Sequence, residues 1–287
     1  MAVLVEPLHY QFFLHGLLAA LLAGSLCGLL GVYIILRKMS YIGHGLAHAV
    51  FGGAVVSHVF GLSFYLGAGL WGFGAALLIH AVAAKREINA DVAIGVVTTA
   101  SFAVGVAVMS RVRRYTRDFD AALFGDVLGV SEGDLLLIGL VTVLAGAMVL
   151  LFYKQLLFSA FDEEVARVTG VPTRAVQLVF ALVLALAILA SMQVLGVTLI
   201  AAAIVIPAAT ARLLTNNFTT MLLLSTSLGG LTALLGMYLS YYLDIASGAS
   251  IVLFAALLFM GVLGGQRLVL RRNPQLGAAG SHGGHHL

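Results

Sequence analysis

Hydrophobic positions along this chain fall in long unbroken blocks, at residues 11–36, 39–59, 62–83, 91–110, 134–153, 175–193, 196–214, 218–242 and 248–268. Each block is close to the roughly 20 apolar residues that carry an α-helix across a bilayer's hydrocarbon core. A strand of a membrane barrel would instead alternate apolar and polar residues with period two, and no block does. The pattern predicts an all-α polytopic membrane protein of eight or nine spanning helices. The Gly-rich second block and the seventh, which contains Pro207, are the least regular. The count drops to eight if one of the nine is re-entrant.

Composition agrees. Hydrophobic residues make up 61% of the 287 and charged residues 9%, against roughly 25% charged in a soluble domain. A formal charge of +3 is too small to point to nucleic acid. Cys27 stands alone in an apolar run, which excludes an intrachain disulfide and a thiolate metal cluster. The first residues lack a basic stretch and the first apolar block is too long for a cleaved signal, so none is expected.

Basic residues in short loops mark the cytoplasmic side. With nine spans, Arg37-Lys38, Lys85-Arg86, Lys154, Arg167, Arg174, Arg212, Arg267 and Arg271-Arg272 share one side. The N-terminus is then expected outside and the C-terminus in the cytoplasm. Arg111, Arg113, Arg114 and Arg117, accompanied by Asp118, Asp120 and Asp126, break the rule. They read either as an outward loop, solvated or able to meet an acidic partner, or as a sign that the span count before them is off by one. Residues 1–272 form one transmembrane domain in this reading. Residues 273–287, with His282, His285 and His286, form a flexible tail whose short His tract would bind metal weakly.

Candidate chemistry concentrates at His44 and His48. At i and i+4 their imidazoles share one helix face, close enough to hold one metal ion or relay one proton. Ionisable groups at bilayer depth are costly and mark function by default; the competing reading is a packed, hydrogen-bonded helix contact. His9, His15, His58 and His80 lie near span ends and read as interfacial, and Asp91 as a cap at the start of its span. Residues 156–174 read as a short amphipathic helix: Asp162 as N-cap, Glu163-Glu164 in the first turn, and Gly170 and Pro172 as its stop. Pro207 must interrupt a backbone hydrogen bond within its span, making either a fixed kink or a hinge. No G-x-x-x-x-G-K-[ST] loop occurs, so the chain carries no such ATP site of its own.

Four stretches give the chain a family likeness: Arg37–Val50, Leu123–Val130, Phe161–Pro172, and Ile206–Arg212 together with Ala246–Leu253. Through them it resembles the membrane permease subunit of the ABC importers for manganese, zinc and iron, close in architecture to the vitamin B12-type importers. Ser191–Gly196 and Gly248–Leu253 look more like the manganese branch. The resemblance implies a non-enzymatic homodimer in the cytoplasmic (inner) membrane, two cytoplasmic ATPase subunits, and an extracytoplasmic metal-binding protein that delivers the ion. It places His44 and His48 at the transient metal site and makes Phe161, Asp162, Glu163, Glu164, Ala166, Arg167 and Gly170 (161–171) the coupling helix. The family usually has Asp where His44 stands. Imidazole suits zinc or iron, whereas manganese prefers oxygen ligands, so residue chemistry and likeness pull toward different ions. Rival readings are a proton-coupled secondary metal transporter with the His pair as relay, an ABC importer of a metal chelate, and an intramembrane metallohydrolase. The last lacks a carboxylate between His44 and His48.

Overall fold

The computed structural model describes residues 6–83, 89–112 and 122–272. These form α1 (Gln11–Leu36), α2 (Tyr41–Val59), α3 (Phe64–Ala83), α4 (Ala90–Val112), α5 (Glu132–Leu151), α6 (Tyr153–Phe161), α7 (Glu163–Val168), α8 (Thr173–Leu195), α9 (Val197–Leu214), α10 (Phe218–Leu243) and α11 (Ser247–Arg272). No strand occurs among the described residues. Nine of the helices have 18 residues or more, and eight of these are long and apolar enough to cross a membrane; α2 is the ninth. At 1.5 Å per residue, the 19 residues of α2 still span about 30 Å, the thickness of the hydrocarbon core.

Local chemistry sets the helix ends. Ser131 and Asp134 make a reciprocal capping box that opens α5, satisfying two backbone N–H groups that the first turn leaves orphaned. The Asn217 side chain accepts from Thr220 N at 3.1 Å and opens α10. Asp244 closes α10 in a left-handed conformation. α4 begins at Ala90, so Asp91 sits in its first turn rather than at the cap, where its charge still favours the helix dipole.

The spanning helices alternate in direction, so two ends of the bundle can be told apart. At one end Arg37, His80, Arg167 and Arg174 line a common cavity, Tyr153 packs edge-on against Phe218, and Gln266 donates to the Leu213 carbonyl. At the other, Phe12 and Phe13 meet Asp126, Asp244 and Ser247, and Tyr65 donates to Asp134. α2 joins the two ends and therefore crosses with the rest. The first end holds the basic loop residues that the sequence placed on one side; Arg111 closes α4 at the opposite end. Lys85, Arg86, Arg113, Arg114, Arg117, Asp118, Asp120 and the tail 273–287 lie outside the described residues.

Packing divides the helices into two groups. α1, α9, α10 and α11 form one; α2, α3 and α4 form the other; α8 and α9 touch both, and α5 lies on α1 and α8. Glycine makes the contacts close. A side chain on Gly24 would meet the Gly229 carbonyl, and one on Gly28 the Ser225 carbonyl, while Ser225 Oγ donates to the Gly28 carbonyl at 2.6 Å. In the second group Gly52 faces the backbone of Ser101 and Gly105 crosses over Gly52. Without a hydrophobic driving force inside lipid, such backbone-to-backbone contact is what holds helices together.

Candidate metal site and its surroundings

The His pair sits in the first half of α2, and both rings are half-buried. Their centroids are 4.3 Å apart with planes inclined by 47°. Metal–imidazole bonds measure about 2.0–2.1 Å, so rings this close can share one ion when a nitrogen of each turns toward it. His48 Nδ1 lies 3.0 Å from the His44 carbonyl oxygen. A carbonyl only accepts, so Nδ1 carries the hydrogen and the Nε2 lone pair is left for a metal. Phe102 of α4 meets His48 edge-on at 4.8 Å, and Tyr41 lies 5.6 Å from the His44 ring. The glycines on α2 bring α4 this close. Gly45 faces Ile94 and Thr98, and Gly52 faces Ser101.

No group of three or more His, Cys, Asp or Glu side chains converges among the described residues. The described residues therefore offer two imidazole donors there, fewer than the four ligands of a usual zinc sphere. His58 lies in the last turn of α2, and His80 ends α3 on the basic cavity. Neither is brought to the pair.

The charged helix at the basic end is α7, Glu163–Val168, inside the 161–171 window read from the sequence. Phe161 ends α6 and is exposed. Asp162 is extended and caps α7, its Oδ1 accepting from Glu164 N and Val165 N at 3.0 Å each. Ala166 is the buried anchor, Arg167 Nε donates to Thr173 Oγ1, and Gly170 stops the segment at φ +84°. Val165 and Val168 remain exposed, Val168 at 89%, so α7 presents an apolar and charged face outward. Pro207 is buried within a continuous α9, where its missing N–H leaves the Ala203 carbonyl without its helical partner. On either side of Pro207, the Ile204 carbonyl and the Ala208 side chain pack on Gly31 of α1.

One constellation went unread in the sequence. Gly125 (φ +81°), Gly196 (φ +75°) and Gly248 form a backbone knot at the end opposite the basic residues. A side chain on Gly125 would meet the Val194 carbonyl, on Gly196 the Leu123 carbonyl, and on Gly248 the Leu195 carbonyl. Asp126 N donates to the Gln193 carbonyl at 2.7 Å, and Thr198 Oγ1 to the Leu123 carbonyl at 2.8 Å. Gly125 and Gly196 need both a positive φ and no side chain, and Gly248 needs no side chain; only glycine supplies these cheaply. The three lie far apart in sequence; without the fold no local signal joins them. Phe102, which walls His48, was missed for the same reason.

A bundle of nine long helices, with an imidazole pair on its least apolar crossing and a short capped helix at its basic end, defines a polytopic membrane transport protein. The profile of the ABC 3 transport family matches residues 9–266, and the chain belongs to that family. It is 41% identical over 257 residues to the manganese transport system membrane protein MntC of Halalkalibacterium halodurans, covering 88% of this chain and 87% of that one. The manganese import system permease protein ScaB of Streptococcus gordonii is 34% identical, over 89% and 92% of the two chains. Among solved structures, PsaBC from Streptococcus pneumoniae in complex with Fab superposes with a TM-score of 0.81 at 33% identity, covering 90% of this chain and 95% of that one.

Proposed function

We propose that this chain is the membrane permease subunit of an ATP-driven importer for a divalent transition metal ion, and that His44 and His48 form its transient binding site. The observation that carries the site is the paired imidazoles, 4.3 Å apart, with one tautomer fixed by the helix backbone. The relatives' names favour manganese as cargo; the all-imidazole donors favour zinc or iron(II). In this reading two copies pair so that their His pairs share one pathway. The permease lies in the inner membrane with its basic end and C-terminus in the cytoplasm. An extracytoplasmic binding protein delivers the ion at the other end.

Two cytoplasmic ATPase subunits grip the segment from Phe161 to Val171, where Asp162, Glu164 and Arg167 surround the exposed Val165 and Val168. Pro207 acts as the hinge of α9. Residues 1–272 work as one transmembrane unit, and 273–287 are its tail. The permease makes and breaks no covalent bond itself; it orders the ion's path, and the hydrolysis occurs in its partners.

The test is uptake of manganese, zinc and iron(II) into vesicles holding the permease, its ATPase and its delivery protein. His48→Ala should lower uptake of the cargo ion at least tenfold, and ATP omission should abolish it. Uptake at the parent rate by both His44→Asp and His48→Ala would refute the site. Uptake that follows a proton gradient and ignores ATP would refute the importer reading.

A further inference from the structure

Between them, α2, α3 and α4 leave an open groove of about 460 Å³ that the proposed transport cycle does not use. Phe60 and Leu62 stand at its mouth, near the turn into α3, and Leu78 at its foot; Gly53, Trp71 and Ser101 line the stretch between. Glycine shapes it. A side chain on Gly53 would meet Trp71 and one on Gly67 would meet Ser57, so α2 and α3 close tightly there. One on Gly74 would meet nothing within 4 Å.

The groove's chemistry suits hydrocarbon and offers a polar ligand little. None of its described lining residues is charged. Both of its hydroxyls are already bonded within the chain: Ser57 Oγ donates to the Ser63 carbonyl at 3.0 Å and Ser101 Oγ to the Val97 carbonyl at 2.8 Å. Leu70 and Leu78, 72% and 57% exposed, form its apolar rim.

Its place in the bundle selects the occupant. α3 and α4 are spanning helices. From Gly67 to Leu78, α3 rises about 16 Å at 1.5 Å per residue, close to half of the roughly 30 Å hydrocarbon core. That is the depth of one leaflet, reached from the end opposite the basic residues. Direction matters too. At about 100° per residue, Gly53 and Ser57 point about 140° and 180° away from His48 around α2. In the pairing proposed above, which brings the two His faces to one pathway, the groove therefore faces lipid and not the second copy; this step rests on that proposal. The ATPase and delivery partners act at the bilayer's two surfaces, and the groove lies between them.

We propose that this groove binds one acyl chain of a phospholipid from the leaflet opposite the basic end. The chain lies against Trp71 and fills the space left open at Gly74. Gly53 and Ser101 on its wall adjoin the close contact of Gly52 with the Ser101 carbonyl, and Phe102, next along α4, walls His48. The chain thus packs behind the α2–α4 crossing, and lipid reaches that crossing without entering the ion's path.

Trp71 is the chain's single tryptophan, so its fluorescence reports on the groove. Full-length permease in detergent is titrated with phosphatidylcholine whose acyl chains carry bromine, a contact quencher. The expected result is saturable quenching with a plateau near one lipid per permease, reversed by unbrominated phosphatidylcholine. Gly74→Leu, whose side chain fills the groove, should raise the half-saturating lipid concentration about tenfold or more. Leu70→Ala, at an exposed position that leaves the fold intact, should raise it about fourfold, the equivalent of one methylene contact. Gly139→Leu, at an equally open glycine on α5, should match the parent. Quenching that climbs without a plateau, or no quenching, overturns the site, as does parent-like saturation by folded Gly74→Leu and Leu70→Ala. Quenching seen in monomeric fractions and lost in dimeric ones would give the groove to a second copy and overturn it too. Fluorescence is read without metal, ATP or transport, so failure here leaves the importer reading standing, and failure of that reading shows in uptake instead.

Discussion

Gly52→Ala is the sharpest probe of how the fold supports the metal site. The added carbon would lie 2.4 Å from the Ser101 carbonyl oxygen and 3.0 Å from its carbon. Ordinary contact begins at 3.4 Å, so the oxygen contact falls short by 1.0 Å and α4 has to back away by about that much. Both sides of the contact are backbone, and no flexible side chain can yield. Overpacking of this kind costs about 1–3 kcal/mol. Alanine's better helix propensity returns about 1 kcal/mol, leaving a net loss of up to about 2 kcal/mol. Phe102 follows Ser101 and walls His48, so the displacement should loosen the metal site without removing a donor atom. Gly74→Ala is the control, because nothing lies within 4 Å of the carbon it adds. Thermal melts of the purified permease should show Gly52→Ala a few degrees below the parent and Gly74→Ala level with it or slightly above. Metal uptake should fall only in the first. If Gly52→Ala melts and transports like Gly74→Ala, the reasoning from close helix contact to site geometry is wrong.

Other substitutions test separate links. His44→Asp puts a carboxylate into the pair and should shift uptake toward manganese over zinc on the order of tenfold, measured by competition between the two ions. Asp162→Ala removes the α7 cap, worth about 1 kcal/mol locally. It should lower permease-stimulated ATP hydrolysis while the melting of the spanning bundle stays unchanged. Only neutral imidazole ligates metal, so protons compete with the ion and metal affinity should fall on acidification. Equilibrium binding at a series of pH values checks the sign, and affinity that increased on acidification would remove the imidazoles as ligands.

How much of this was legible beforehand depends on the range of the signal. The nine blocks predicted nine helices, and their ends moved by only a few residues, because each block is a self-contained patch of apolar surface. The pairing of His44 with His48 was equally readable, since i,i+4 geometry is fixed within one helix. Asp162 and Gly170 marked the ends of α7 because capping chemistry is local too. Its start after Phe161 was blurred, because α6 runs into it with only the extended Asp162 between. The Gly125–Gly196–Gly248 knot and the Phe102 wall depend on which segments meet in space. A single sequence carries no term for that, and neither was found. Asp91 was placed at the cap, two positions from where the cap falls, for a smaller reason: Asn89 and Asp91 are both good caps, and propensity alone does not choose between them.

The helix that bears the metal pair is also the one long helix missing from the eight apolar enough to cross alone. Its glycines serve contact with the neighbouring helices, and its histidines the ion in their proposed role, both at the expense of apolarity. Its imidazoles lower the apolarity of α2, so its entry into the membrane should be helped by α3 and α4, which pack against it. Biogenesis and selectivity are thereby linked: a substitution that makes α2 greasier would ease its insertion and blunt the site, and one that adds polar ligands would sharpen the site and tax assembly.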